Sequence, residues 1–319
     1  MKPLKLILAA AALAFAGGVH AQAFPTKPVT ITIGFAPGSS IDTLTRLVAE
    51  RLRDKWGQPV VVDNKPGAGA NIAAEHVSKA APDGYTLLVT TSAIAISPAL
   101  YPKLNYDPFK DLRPVGQVSA MPHIFAVKKD LPVNTVAEFI AYAKANPGKM
   151  NFSSAGTGNS DHMAGELLKA LTGIDMVHVP YKGGQQAMAD LVGGLVDAYF
   201  PGLPVGLPMV KGDRVKALAT TGRARSKALP DVPLLSDTVK GFTVELWYGM
   251  FAPAGVPDAL VQKISADLAA ALKDAGLAQK FDNMGVEPIG SDPKAFGEFV
   301  KAENEKWAGI IKRGNITLK

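Results

Sequence analysis

Two short loops of small residues carry the groups best suited to hold a ligand. Segment 35–42 reads FAPGSSID and segment 153–161 reads SSAGTGNSD, and each follows a predicted strand and precedes a predicted helix. Glycine and serine let backbone N–H groups turn outward, and a helix N-terminus adds partial positive charge. We expect Asp42 to cap the first of these helices through its side chain. Such loops suit a carboxylate or a phosphate, although each alone could be an ordinary strand-to-helix turn.

Other kinds of chemistry have little support in the residue pattern. Ser39 or Ser40 with His162 and Asp161 could be imagined as a hydrolase triad, but no GxSxG motif is present. The histidines after residue 21 show neither i, i+4 pairing nor an HExxH motif, and the chain has no cysteine. Neither loop is a Walker A or a dinucleotide fingerprint. We therefore predict no catalytic residue, no metal and no cofactor, and we assign the acids Glu303 and Glu305 to a solvated helix face.

Composition narrows the class of protein further. The 319 residues are 47% hydrophobic and 19% charged, which is typical of folded domains and allows about two of them. No apolar run reaches the roughly 18 residues that a membrane-spanning helix needs. The net charge is +6, but the basic residues are scattered and the longest run is Lys128-Lys129. This pattern argues against nucleic-acid binding, which calls for a clustered basic stripe.

The first 21 residues have the pattern of a cleavable secretory signal. Lys2 and Lys5 precede the apolar stretch 6–15, and Val19-His20-Ala21 places small residues where a signal peptidase reads. No cysteine follows the cleavage point, so a lipid anchor on a new N-terminal cysteine is excluded. We expect a mature protein that begins at Gln22 and is free in the periplasm.

The elements that must position the two loops form two successive series of strands and helices. In the first series, strands at 29–35, 60–62 and 87–91 alternate with helices at 42–56 and 71–80; the second follows the strand-like stretch 112–127. Short alternating β and α elements predict an α/β fold with mostly parallel strands covered by helices. Thr135 and Glu138 form a capping box for a helix that runs to residue 145. The two series could be two lobes, with one small-residue loop in each.

Several longer segments give the chain a family resemblance. They include FAPGSSIDTLTRLVAERL, GQPVVVDNKPGAGANIAAEHVSKAAPDGYTLL and NFSSAGTGNSDHMAGELLKALTGIDMVHVPYKGGQQAMADLVGG, followed by RSKALPDVPLLSD and WYGMFAPAGVP. In this order and spacing the chain resembles the Bug (TctC-like) family, the periplasmic solute-binding receptors of tripartite tricarboxylate transporters. The resemblance runs from Pro25 to about Trp307.

The resemblance implies a two-lobed type II periplasmic binding protein, a Venus flytrap in which each lobe is a sheet flanked by helices. Residues 22–121 plus 247–319 would form lobe 1, and residues 122–246 would form lobe 2. The family binds small carboxylates between the lobes through backbone N–H groups and ordered waters. Carried over, the ligand contacts fall in lobe 1 on Gly38, Ser39, Ser40, Asp42, Thr91 and Ser92, and in lobe 2 on Ser154, Ala155, Gly156, Thr157 and His162, with Lys182 as a further candidate.

Two departures from the family pattern concern the ligand. The family commonly has Gly-Gly after the proline, where this chain has Gly38-Ser39-Ser40. It also commonly has an acidic residue after the strand that ends at Phe200, where Pro201 stands here. A carboxylate that could bond an amino group is absent at that position. We therefore expect a ligand without a cationic amine, rather than an amino acid.

The leading hypothesis is a monomeric receptor that closes on a small organic acid and delivers it to the membrane subunits of a tripartite transporter. A second hypothesis is a receptor of the same fold that passes its signal to a sensor protein. The sequence does not separate these two, because both need the same cleft. The third, a periplasmic hydrolase, lacks a nucleophile elbow.

Overall fold

The computed structural model describes residues 24–314 and 316–317, so the predicted signal segment 1–21 lies outside the described residues. The strands form two separate sheets. The first sheet has the strand order β11-β4-β10-β3-β1-β2. Its strands are β1 (Val29–Ile33), β2 (Val60–Asn64), β3 (Thr86–Thr91), β4 (Leu112–Pro122), β10 (Glu245–Pro253) and β11 (Glu287–Pro288).

The second sheet has five strands in the order β7-β6-β8-β5-β9. They are β5 (Ile124–Lys128), β6 (Met150–Ser154), β7 (Met176–Pro180), β8 (Ala198–Tyr199) and β9 (Val215–Thr220). The expectation of a two-lobed α/β architecture, with helices flanking two sheets, is confirmed.

Eleven α-helices cover the sheets within the described part of the chain. Those associated with the first sheet are α1 (Ser40–Trp56), α2 (Asn71–Ser78), α3 (Ala93–Leu100), α9 (Asp258–Leu272), α10 (Ala275–Asn283) and α11 (Pro293–Gly314). Those associated with the second are α4 (Val136–Ala145), α5 (Ser160–Thr172), α6 (Gly184–Val192), α7 (Leu203–Lys211) and α8 (Leu235–Thr238). None of these helices is long and apolar enough to cross a membrane.

The prediction of mostly parallel strands is wrong. Parallel pairs occur only among β2, β1 and β3 and among β7, β6 and β8, while β10, β4, β11, β5 and β9 pair antiparallel. The physical reason is the connection between the sheets. The chain leaves the first sheet along β4 and re-enters it along β10, so these two long strands run in opposite directions side by side.

The stretch predicted as one strand over 112–127 is two strands in different sheets. Pro122 ends β4, His123 makes only an isolated bridge with Gly202, and Ile124 begins β5. The Ile124 N–H donates to the carbonyl of Pro201 at 2.9 Å, and the His123 N–H donates to the Thr221 hydroxyl at 2.9 Å. The first crossing between the sheets is therefore held by residues just after the ends of β8 and β9.

The last helix, α11, contacts both halves of the molecule. Phe296 packs edge-on against Trp247 of β10, with ring centroids 5.8 Å apart, whereas Trp307 and Ile311 belong to the core around the second sheet. The assignment of Glu303 to a solvated face is wrong, since Glu303 is buried and accepts from the indole N–H groups of Trp247 and Trp307 at 3.3 and 3.2 Å. Burying two large indoles leaves two N–H donors that require an acceptor. Glu305 is exposed, as expected.

Candidate functional site

The first loop turns sharply between β1 and α1. Gly38 has a φ of 79°, a left-handed conformation that glycine adopts without a steric penalty. Ser39 is the N-cap residue of α1, and its hydroxyl accepts from the Asp42 N–H at 3.4 Å. The expectation that Asp42 caps this helix is therefore wrong. A capping side chain must precede the first helical turn to reach its free N–H groups, and Asp42 already lies inside that turn.

Asp42 instead stabilises the first loop by accepting hydrogen bonds on the side away from the cavity. One carboxylate oxygen accepts from the Gly38 N–H at 2.9 Å and the other from the Asn64 side chain at 2.9 Å, and Arg46 lies 2.9 Å from the carboxylate. Burial by itself raises the pKa of Asp42, but the hydrogen bonds from Arg46, Gly38 and Asn64 outweigh it and leave the pKa below its usual value. Asp42 is thus a charged group whose oxygens are engaged within its own loop.

The second loop has the same construction between β6 and α5. Asn159 is the N-cap residue, and Gly158, just before it, has a φ of 84°. Asp161, in the first turn, accepts from the N–H groups of Ala155 at 2.6 Å and His162 at 2.9 Å. Burial without a cationic partner raises the pKa of Asp161 to about 7, although these backbone bonds and the Tyr199 hydroxyl lower it. The two loops therefore differ in the charge that lies beneath them.

Three side-chain hydrogen bonds cross the space between the two sheets. The Thr91 hydroxyl donates to the Asn159 side-chain oxygen at 2.9 Å, and the Tyr101 hydroxyl donates to the Thr157 carbonyl at 3.0 Å. At the rim, the Gln185 amide donates to the Gly38 carbonyl at 3.0 Å. Each of these bonds joins an element of the first sheet to one of the second. The structure therefore represents a closed arrangement of the cleft.

A small cavity of about 30 Å³ remains between the two helix N-termini. Its walls combine hydroxyl, amide and apolar side chains, and no lysine or arginine of the described chain lines it. The lining residues are Phe35, Ser39, Ser40, Ile41, Thr91, His123, Ala155, Asn159, Asp161, Gly184, Tyr199, Gly202, Val205, Leu246 and Tyr248. This volume holds one or two waters and no organic acid, so a ligand enters only when the sheets move apart.

The residues expected to touch a ligand fall into three groups in the structure. The first group lines the cavity and consists of Ser39, Ser40, Thr91 and Ala155. The second group does not line the cavity but lies in or beside the segments that do, and consists of Gly38, Asp42, Ser92, Ser154, Gly156, Thr157 and His162. Lys182 forms the third group alone: its side chain is exposed and does not line the cavity.

Several lining residues were missed by reasoning from sequence. Tyr248 and Tyr199 are buried, and their hydroxyls lie within hydrogen-bonding reach of Ser40 and Asp161 respectively. His123, at the crossing, places Nε2 2.9 Å from the Ser160 hydroxyl. The only local signal was a tyrosine in a strand, which in most sequences is a core residue. These side chains reach the loops because the start of β10, the end of β8 and the crossing segment lie beside the helix N-termini.

The serine–histidine pair at the cavity is poorly suited to hydrolysis. A general base needs a pKa near the working pH, whereas burial lowers the pKa of His123 to about 4. The imagined triad of Ser39 or Ser40 with His162 also does not form, because the His162 Nδ1 accepts from the Gly158 N–H at 3.1 Å.

Comparison with known proteins decides the family. The profile of the tripartite tricarboxylate transporter family receptor, TctC, matches residues 44–316. The chain belongs to this family. Protein BugT of Bordetella pertussis is 32% identical to this TctC-family chain over 307 residues, covering 95% of the chain and 94% of BugT. The resemblance to Bug and TctC receptors that the sequence motifs indicate is therefore confirmed, and the family consists of binding proteins, not enzymes.

Solved structures give the same architecture. The periplasmic binding protein BugD superposes with a TM-score of 0.89 at 33% identity, covering 93% of this chain and 100% of BugD. Rpa4515 of R. palustris with adipate has a TM-score of 0.89 at 33% identity, covering 92% and 99%. MatC from Rhodopseudomonas palustris with bound malate has a TM-score of 0.86 at 32% identity, covering 90% and 100%. This chain therefore has the two-lobed fold of periplasmic solute-binding receptors.

Proposed function

We propose that this TctC-family receptor captures a small organic carboxylate without a cationic amine and delivers it to the membrane subunits of a tripartite transporter. The observation that carries the proposal is the convergence of two helix N-termini, one from each sheet, on a cavity without lysine or arginine. Backbone N–H groups at helix N-termini can hold a carboxylate without a buried cation. Rpa4515 with adipate and MatC with malate support the choice of ligand class.

The ligand contacts follow from this arrangement. In our proposal the carboxylate lies between the segments 38–40 and 154–157, with the hydroxyls of Ser39, Ser40 and Thr91 facing it. Gly156 and Thr157 contact it from lobe 2, His162 supports their loop from behind, and Ser92 and Asp42 support lobe 1. The lobes are residues 22–121 with 247–319 and residues 122–246, and cleavage after residue 21 releases a periplasmic monomer.

Exclusion of amino acids rests on the charges around the cavity. A bound ammonium group requires an ionised oxygen ligand, because a buried unpaired charge costs several kcal/mol. The carboxylate of Asp161 is the one acid among the lining residues, and it already accepts from Ala155 and His162 N–H groups. Pro201 and Gly202 follow the end of β8, where neither supplies a carboxylate.

Thermal unfolding of residues 22–319 tests the proposal. The panel holds adipate, malate, a tricarboxylate, an aromatic acid, aspartate and glutamate at one pH and ionic strength. A ligand at a hundred times its dissociation constant stabilises the protein by about 2.7 kcal/mol, which raises the melting temperature by several degrees. A selective rise with an amine-free acid is the expected result. Tight binding of aspartate or glutamate would contradict the amine exclusion, and no shift with any acid would contradict the carboxylate class.

A further inference from the structure

Two histidines lie directly behind the second loop. His162 is in the first turn of α5 and His178 is on β7, and their ring centroids are 4.0 Å apart with a tilt of 32°. Phe152 of β6 stacks on both imidazoles, with ring centroids 5.0 Å from His178 and 6.3 Å from His162. His162 is 3% exposed. The pair therefore forms part of the packed layer between the loop and the sheet.

His162 is hydrogen-bonded to the loop directly, at Gly158, whereas His178 is linked to Gly156 through the Ser154 hydroxyl. The His162 Nδ1 accepts from the Gly158 N–H at 3.1 Å. The His178 Nε2 lies 2.7 Å from the Ser154 hydroxyl, and that hydroxyl accepts from the Gly156 N–H at 3.2 Å. Gly156 and Gly158 have φ values of 151° and 84°, backbone conformations that glycine adopts more readily than other residues. The His162 imidazole is the acceptor for the Gly158 N–H, and the Ser154 hydroxyl, held beside His178, is the acceptor for the Gly156 N–H.

The hydrogen bond between Gly158 and His162 has a counterpart in the first loop, where the acceptor is a carboxylate instead of an imidazole. In both loops the N–H of a left-handed glycine donates to the side chain four residues later: Gly38 to Asp42 at 2.9 Å and Gly158 to His162 at 3.1 Å. In the first loop the acceptor is an anion paired with Arg46. In the second loop it is an imidazole, which accepts through Nδ1 only while that nitrogen carries no proton.

The charges around His162 oppose its protonation. His178 lies against it, and Lys169, seven residues further along α5, forms an ion pair with Glu166 at 3.0 Å. Burial first, and then His178 and Lys169, lower the pKa of His162 to about 3. The neighbouring acid Asp161 turns its oxygens to the N–H groups of Ala155 and His162. A neutral acceptor also adds no negative charge beneath a loop that faces an anion.

We propose that His162, together with the Ser154–His178 pair, is a positioning residue that holds the 155–159 backbone in its ligand-binding conformation through an uncharged acceptor. The inference rests on the proposed function of that loop. It gives His162 a role behind the loop, in place of direct contact with the ligand. It also assigns a role to His178, which no sequence motif pointed to.

Hydrogen exchange in the ligand-free protein tests the positioning role by itself. At pH 7, His162→Ala is expected to raise the exchange of the Gly158 amide about tenfold, because a buried hydrogen bond is lost. His162→Asn is expected to restore protection, since the equally long Asp42 side chain makes the equivalent bond to Gly38. Exchange at Gly38 is the internal reference, and His76→Ala, at an exposed position of α2, is the control variant. Unchanged protection at Gly158 in His162→Ala would overturn the proposal.

Binding of adipate, measured by titration calorimetry, links the loop to function. We expect about tenfold weaker binding for His162→Ala, an affinity within about threefold of the starting protein for His162→Asn, and no change for His76→Ala. Equal adipate affinity in His162→Ala would also refute the positioning role. If the starting protein binds no acid of the panel, the proposed function fails, and the exchange experiment still decides whether His162 holds the loop.

Discussion

Lowering the pH from 7 to 5 should destabilise this protein although few of its surface groups titrate there. His123 and His162 are 1% and 3% exposed, and burial lowers their pKa values to about 4 and about 3. In the unfolded chain a histidine has a pKa of about 6.5. At a pH between the folded and unfolded pKa values, the histidine is protonated in the unfolded chain but not in the folded protein. Stability is therefore fully present above pH 6.5 and falls as the pH drops toward the folded values.

The size of the loss in unfolding free energy follows from the difference between the unfolded pKa of about 6.5 and the final pH of 5. At about 1.36 kcal/mol per pH unit, each of the two histidines removes about 2 kcal/mol of unfolding free energy by pH 5. Asp161 acts in the opposite direction: its pKa is raised to about 7, so the folded state takes up a proton and gains about 2 kcal/mol over the same range. The partly buried His178, whose pKa is lowered to about 4, adds up to about 2 kcal/mol of loss. The net expectation is a loss of about 2 to 4 kcal/mol.

Urea unfolding followed by tryptophan fluorescence measures this difference at pH 7 and pH 5 at one ionic strength. His123→Asn should reduce the pH-dependent loss of unfolding free energy by about 2 kcal/mol, because asparagine does not bind the proton that His123 binds only in the unfolded chain. His76→Gln, at an exposed site, should leave the loss unchanged. Equal or greater stability at pH 5 than at pH 7 would refute the reasoning, since the folded protein would then bind at least as many protons as the unfolded chain over this range.

Three further predictions concern packing and closure. Gly69→Ala places a Cβ 2.2 Å from the Thr157 carbonyl across the cleft, so it should weaken adipate binding at least tenfold by calorimetry. Gly57→Ala is the control, because Gly57 has the same left-handed backbone as Gly69 but no atom near the added Cβ. This variant should leave the affinity for adipate unchanged and cost only about 1 kcal/mol of stability. Gly165→Ala in α5 places a Cβ 2.1 Å from the Phe152 ring and should destabilise by about 1–3 kcal/mol in urea, whereas a gain in stability would contradict this packing. Glu303→Ala leaves the indole N–H groups of Trp247 and Trp307 without their acceptor and should cost about 3 kcal/mol in urea, with Glu305→Ala on the exposed face as its control.

The two loops could be found from sequence because their requirements are local. A left-handed turn before a helix calls for glycine, and its N-cap calls for a short polar side chain, so segments 35–42 and 153–161 are recognisable by composition alone. Thr135 is confirmed as an N-cap for the same reason, with the Glu138 N–H donating to the Thr135 hydroxyl at 3.1 Å. The reciprocal half of the predicted capping box differs, because the Glu138 carboxylate accepts from the Asn134 N–H at 2.6 Å, one residue before the N-cap. Such features depend on neighbours within four residues.

The remaining walls of the cavity depend on contacts between distant parts of the chain. Tyr248 reaches Ser40 across about two hundred residues, and nothing near Tyr248 in sequence distinguishes it from a core tyrosine. Helix α7 was missed for a different reason, because Pro204 and Pro208 resemble a loop. Pro204 lies in the first turn, where its missing N–H has no partner in any case, and tertiary packing tolerates the bond lost at Pro208.

The different acids beneath the two loops are compatible with the carboxylate site that we propose between them. Asp42 is ionised, but Arg46 compensates its charge and its oxygens are held by Gly38 and Asn64. Asp161 has no cation to compensate it, and its pKa of about 7 lets it carry a proton when an anion lies nearby. His162 completes the second loop without any charge. The backbone of both loops is thus fixed by side-chain acceptors, yet the loops present little net negative charge to the cleft. A receptor that binds carboxylates through backbone N–H groups requires this low negative charge.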